Sequence, residues 1–464
     1  MRLTKTLYFL LLISLLSIVI IGNNGCAQIG AITGGAKDSI PPVLVDASPK
    51  VLSTHFSGNR ITLTFDEYID ELQEVQKNII VSPYPKLNPE FKTKLKTLTV
   101  KLKDTLLPNT TYSIDFGNAI RDVNEANILK NFTYVFSTGN TIDSLSLSGK
   151  VTLAETGKID STLIVMLYRN AVDSTVQTIK PTYIAFVKGD GSFSFKNLPT
   201  GNFSVYALKD GDGGKTYNSK TELFAFLDKP VVVADSTKPV ELFAYAEEKP
   251  AKPYVAPVKS KTAAQKKLRY TVAAAGQKQS LIDDLVLDFS SPIKTLDTTK
   301  IILTDTNYVR VNNVAFKLDS NRIFLKTKWT EASDYRLIID KQAVKDSTDS
   351  TIAKTDTVRF KTKAEADYGS VVLRFNNIDL ARHPVLQLVQ QDEIKQSAAL
   401  KSKEWRNKLC PPGEYEIRIL YDDNDNGKWD PGDYKKKKQP EKVVSIPKKI
   451  TVRENWDNES DINL

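Results

Sequence analysis

DGSFSFKNLPTGNFSVYALKD, residues 190–210, places Phe193 and Phe195 on alternate positions before a Pro-Thr-Gly turn, and Phe203, Val205 and Ala207 on alternate positions after it. A period of two is the β-strand period, because successive side chains point to opposite faces. Asp190-Gly191 opens the first strand, Leu198-Pro199 ends it and Gly201 turns the chain into the second, which predicts a hairpin. The same alternation runs through ITLTFDEYI (61–69), LKTLTVKL (95–102), TTYSIDFG (110–117) and FTYVFST (132–138). Thr, Val, Ile, Tyr and Phe are plentiful and turn residues recur about every ten positions, so the chain is predicted to be all-β, built of tandem β-sandwiches.

Two kinds of module alternate. The first, A, spans 43–140; the second, B, spans 144–246 and contains the stretch quoted above. Residues 247–268, rich in Pro, Lys and Ala without an apolar period, read as an extended linker. Both patterns then return. LVLDFSSPIKTLDTTKIILT (285–304) follows the plan of 61–81, ASDYRLIIDKQAVKD (332–346) that of 109–122, and VRFKT (358–362) that of YVFST (134–138). CPPGEYEIRILYDD (410–423) lays Gly413, Tyr415, Ile417 and Asp422 on Gly201, Phe203, Val205 and Asp210. The order is therefore A, B, linker, A (269–364), B (367–464), with each module expected to be an independent domain.

Arg2 and Lys5 precede an unbroken apolar run from Leu7 to Ile21, followed by small and polar residues to Gly25. This is a secretory signal layout, shorter than the ~20 residues of a spanning helix. Cys26 follows in a site that resembles a lipobox, which implies the lipidated first residue of a mature lipoprotein, with ordinary cleavage beside an incidental cysteine as the alternative, 1–25 as the signal and 26–42 as a tether closed by Pro41 and Pro42. The only other cysteine is Cys410, so a lipidated Cys26 leaves no intramolecular disulfide. Net charge is +9, or +7 once Arg2 and Lys5 are removed. The lysines are spread over strands and linkers without a recognition helix or stacking motif, which argues against nucleic acid and for a basic surface near anionic lipid.

The FDEYI strand, the L-P-N-T-x-Y turn and the closing F-S-T make the A modules resemble bacterial Ig-like domains. The D-G-S-F-x-F-x-N-L-P-x-G-x-[FY] pattern makes the B modules similar to carboxypeptidase-regulatory or transthyretin-like sandwiches. From CAQIGAITGGAKDSIPP to ENWDNESDINL, the whole order resembles Ig-like-domain lipoproteins of the Bacteroidota. That resemblance implies export and an interaction role, and brings no catalytic residue with it.

Candidate chemistry is sparse. Asp422 to Asp433 has the spacing of a twelve-residue calcium loop, with Asp422, Asn424, Asn426, the Lys428 carbonyl, Asp430 and Asp433 at ligand positions and Gly427 at the sharp turn. A loop whose Asp and Asn side chains bond their own backbone accounts for the same residues and is the favoured reading. Asp210 to Thr221 keeps only the first ligands. His55 and His383 stand alone, Cys410 reads as an apolar turn residue, and Asp66-Glu67, taken as neighbours on a strand, point to opposite faces. The recurring aromatics Tyr112, Phe136, Phe203, Tyr335, Phe360 and Tyr415 are expected in cores, and Trp456 is expected to pack under the last sandwich, with a docking tail as the alternative.

A tripeptide of Asp, then Ser or Thr, then an apolar residue or Thr recurs, with its hydroxyl on Ser39, Thr105, Ser144, Ser161, Ser174, Ser236, Thr298, Ser347, Ser350 and Thr357. The motif resembles the O-glycosylation acceptor of Bacteroidota, while turn chemistry explains it equally well. The expectation is a non-enzymatic, lipid-anchored outer-membrane protein, on the periplasmic or the surface face. It needs no cofactor beyond the lipid, and its surfaces meet envelope proteins as a scaffold, an adhesin or an accessory of an outer-membrane protein complex. The alternative is a calcium-tuned binder of glycans or proteins.

Overall fold

The computed structural model describes residues 37–169, 174–249 and 267–464; Cys26, its signal, most of the tether and the middle of the linker lie outside them. The chain divides into two compact units, one holding the first A module and the other running from 141 to the C-terminus. The described residues are almost wholly strands and turns, in β-sandwiches, and among them no helix is long and apolar enough to cross a membrane.

In the first A module one sheet runs Leu44–Ser48, Arg60–Phe65, Thr97–Lys101, Glu90–Lys94 in spatial order, and a second runs Ile80–Ser82, Thr111–Asp115, Thr133–Ser137. The alternation read from the sequence is the burial pattern: Ile61, Leu63 and Phe65 face inward with Leu98 and Val100, against Ile114, Tyr134 and Phe136 of the other sheet. The Tyr112 ring stacks on Phe136 at 5.2 Å and its hydroxyl accepts the Leu107 N–H at 2.7 Å, pinning the turn that precedes its strand. The Arg60–Phe65 strand stops at Phe65. Asp66 and Glu67 lie in the bend beyond it, and Asp66 accepts the Val43 N–H, so the strand-face argument for that pair does not apply.

The second A module repeats this plan. Its sheets run Tyr270–Val272, Leu285–Phe289, Arg322–Lys326, Ala315–Asp319 and Lys278–Gln279, Asp356–Thr362, Asp334–Ile339, Ile301–Thr304. Tyr335 stacks on Phe360 at 5.8 Å and accepts the Thr330 N–H at 3.2 Å, in the places of Tyr112 and Phe136.

In the first B module a sheet of Ser192–Leu198, Leu145–Leu153 and Val240–Ala244 packs on one of Tyr183–Phe186, Ile164–Arg169 and Gly201–Leu208, edged by Phe224–Phe226 and Val231–Val233. The second B module has the same order: Glu404–Cys410, Gly369–Asn376, Asp457–Asn463 over Glu393–Ala399, Pro384–Gln390, Gly413–Tyr421, Lys442–Val452. In both, the last strand joins parallel to the first. The predicted hairpin at 190–210 is a corner instead. Ser192–Leu198 and Gly201–Leu208 belong to opposite sheets, so Phe193 and Phe203 enter the core from two sides. Gly201 (φ 148°) and Gly413 (φ 151°) make the crossing in a backbone region that side chains avoid.

Trp456 departs from expectation. Its carbonyl accepts the Ser370 N–H, yet its ring is 59% exposed beside Arg453.

Candidate functional site at the aspartate loop and the B-module seam

Asp422 ends the buried strand Gly413–Tyr421 and is itself fully buried. Its carboxylate accepts the Asn426 N–H at 3.2 Å and the Gly427 N–H at 2.5 Å, folding the loop back on its own start. The Asn424 and Asn426 amides both donate to Asp430, while the Asn426 side-chain oxygen accepts the Lys428 N–H at 2.7 Å. Glu441, which sequence reasoning missed, closes the ring from below, accepting the Asp423 and Asp430 N–H groups at 2.9 Å each. Burial, helped by the Asp422 and Asp430 charges, pushes its carboxyl above the usual range despite those bonds.

Asp433 is not brought to the other candidate ligands. It pairs with Lys436 at 2.8 Å and bridges through its backbone to Lys438. Among the described residues no three His, Cys, Asp or Glu side chains are arranged to hold a metal. The geometry is that of a loop bonded to its own backbone. In the first B module, Asp210 takes the Lys215 N–H and ammonium, and Asp212 takes Gly214 and Asn218.

The second loop differs in what it carries onward. Trp429 donates to the Glu441 carbonyl at 2.8 Å and packs against buried Val385, Leu420 and Val443. Tyr434 then enters the first B module, its ring 5.1 Å from Phe224, 5.2 Å from Phe226 and 6.0 Å from Tyr206, with Tyr217, Met166 and Tyr168 in the same cluster. Its N–H donates to Glu247 at 3.0 Å, and Gln439 reaches Asp228 at 2.7 Å. The Val443 N–H donates to the Ala154 carbonyl at 2.9 Å. Gly157 (φ 66°) lies so close to the facing strand that a Cβ there would stand 2.5 Å from the Ser445 nitrogen.

Charge seals the seam's edge. Lys158 pairs with Asp392 at 2.6 Å and Glu416 at 3.3 Å, and buried Arg418 reaches the same two carboxylates. The hydrogen bond from Lys158 holds Asp392 below the usual carboxylate range. At Glu416 burial opposes ionisation, but the bonds from Arg418 and Lys158 prevail and lower its pKa.

The two B modules are thus one packed body rather than independent domains. The signal was present in the sequence. IVMLYR (164–169) is apolar on consecutive positions, and five of its six residues are buried, as befits a strand covered on both faces.

The other candidates sit apart. The His55 ring meets Thr54, and His383 is a left-handed residue closing a single turn. Cys410 is buried in the second B core, where burial pushes its thiol up to about 11, so it is a protonated thiol at neutral pH. Of the ten Ser/Thr positions, Ser39, Thr105, Ser144, Ser161, Ser174, Ser236, Thr298, Ser347 and Thr357 are exposed and Ser350 is half-buried. Asp38, Asp160, Asp297 and Asp346 each accept the N–H two residues on, the turn chemistry expected of the motif.

Residues 38–138 match the bacterial Ig-like domain family Big_5. No curated protein matches the chain. Among solved structures it is similar to the major pilin subunit BcpA of Bacillus cereus (12% identity, TM-score 0.17, covering 70% of this chain and 99% of that one). It is also similar to the Bacillus anthracis TIE protein (10% identity, TM-score 0.17, covering 93% and 76%) and to the N-terminal part of the S-layer protein SbsC (15% identity, TM-score 0.17, covering 45% and 44%). At those TM-scores the likenesses bear on no functional point.

Proposed function

We propose that the chain is a non-catalytic lipoprotein of the cell envelope, acylated at Cys26, held in the outer membrane and presenting stiff β-sandwich surfaces to other envelope proteins or an outer-membrane complex. The observation that carries this reading is the seam. Buried aromatics, a backbone hydrogen bond and a four-charge cluster join two sandwiches into one rigid body, which suits a scaffold whose faces must keep a fixed relation. The exposed Asp-Ser and Asp-Thr hydroxyls are open to glycosylation, in keeping with export. Metabolic labelling with a fatty-acid analogue, paired with affinity purification from crosslinked cells, tests the proposal. Label and membrane fractionation lost in Cys26→Ala, with a recurrent envelope partner, support it; an unlabelled soluble protein sinks it.

A second reading, calcium tuning glycan or protein binding, draws on the calcium-loop spacing of Asp422, Asn424, Asn426 and Asp430. It requires a calcium-dependent rise in Tm that Asp422→Ala removes.

A further inference from the structure

The two A modules share sheet order and register, so their side chains can be compared position by position. In the first, the cross-strand pair beside Tyr112 and Phe136, on the opposite face of the sheet, is Ser113 opposite Val135, small, neutral and buried. In the second, beside Tyr335 and Phe360, it is Arg336 opposite Arg359. Like charges directly opposite on antiparallel strands repel. Lys361 lies on the same strand two residues on, and Arg310 forms a bridge to Thr304 next to Arg336.

Among the described residues none of these four cations is in an ion pair. The face is open: Arg310, Arg359 and Lys361 are exposed. A cleft of about 320 Å³ lies here, lined by Thr306, Asp334, Arg336, Arg359 and Lys361, with Asp334 its one carboxylate. Beside it the loop after Ile301–Thr304 lifts two large apolar side chains into solvent, Tyr308 (60% exposed) and Val309 (62%), and the Tyr308 ring stacks under the Arg336 guanidinium at 4.2 Å.

We infer that this face of the second A module docks on an anionic phospholipid surface. The uncompensated guanidiniums take the headgroup phosphates, and Tyr308 and Val309 enter the interface. Forked guanidiniums match phosphate oxygens, and a phosphate accepted between Arg336 and Arg359 removes the repulsion that the fold otherwise carries. A tyrosine and a valine at the rim are what a headgroup boundary accommodates and a soluble anion would not use. The contact lies some 280 residues from Cys26 in sequence, needs no lipid anchor and adds a second attachment to the first.

The test is co-sedimentation of the full mature chain carrying Cys26→Ser, so that no acyl chain contributes, with vesicles of phosphatidylglycerol and phosphatidylcholine and with vesicles of phosphatidylcholine alone. The double substitution Arg336→Ser/Arg359→Val installs the first module's own residues. Wild type is expected to bind the phosphatidylglycerol vesicles only, and the double variant about twenty-five-fold more weakly, a factor of about five for each guanidinium at a lipid surface. Tyr308→Ser, which leaves every charge in place, is expected to weaken binding less. Equal binding by wild type and the double variant overturns the inference, since the attraction then belongs to net charge. So does a wild type that ignores the vesicles yet gains Tm in inorganic phosphate, which would make the cleft a free-anion site.

Discussion

The Asp210 loop and the Asp422 loop begin from the same corner of the same sandwich and end in different tasks. In the first, the carboxylates bond within the loop, Asp210 to Lys215 and Asp212 to Gly214 and Asn218, and the Tyr217 N–H ties it back to Val176 of its own module. The second also bonds within itself at its start, then runs on through Trp429 and Tyr434 into the neighbouring module. The two modules share a framework, and the second loop adds Tyr434 to the contacts that make them one body.

The largest break in that comparison is expected from Tyr434→Ala. Removing an aromatic ring buried among Phe224, Phe226 and Tyr206 is expected to lower the stability of the B pair by about 3 kcal/mol, read by chemical denaturation. Asp422→Ala comes next. It strips the buried partner from the Asn426 and Gly427 N–H groups and is expected to cost about 2 kcal/mol, while Asp212→Ala, at an exposed position in the first copy, is expected to change stability less. Gly157→Ala forces a Cβ against the facing strand at positive φ and is expected to cost about 1 kcal/mol or more.

The smallest effect concerns pH. Asp392 and Glu416 are held below their ordinary values of 3.8 and 4.5, so the stability they contribute is present above those values and is lost as pH falls through their lowered ones. Thermal melts from pH 6 to about 3 should therefore show destabilisation that is shallower in Lys158→Met. An unchanged slope would remove Lys158 from the account.

Much of the fold was legible because burial on one face writes itself as alternation. RITLTF (60–65) reads out inside and outside residue by residue, and the repeated Tyr and Phe positions are core in both copies. What alternation cannot say is which sheet a strand joins, so 190–210 looked like a hairpin when its halves sit in opposite sheets. Nor could loop spacing show that Asp433 turns to Lys436 while Glu441, eight residues later, takes its place under the loop. Trp456 misled because hydrophobicity alone does not bury a ring in a turn between two strands. The seam itself was foreshadowed by IVMLYR, whose unbroken apolar run asks for cover on both faces, while nothing in the lysine-rich run after Tyr434 marked that ring for burial.

The central claim, that the B modules are joined through Tyr434, is tested most directly by a double-mutant cycle in the full mature chain pairing Tyr434→Ala with Phe226→Ala, residues more than 200 positions apart. A coupling of about 1 kcal/mol or more is the expected result, because the two rings meet at 5.2 Å. Losses that add to within about 0.3 kcal/mol would contradict it, since side chains of separate bodies have nothing to couple through.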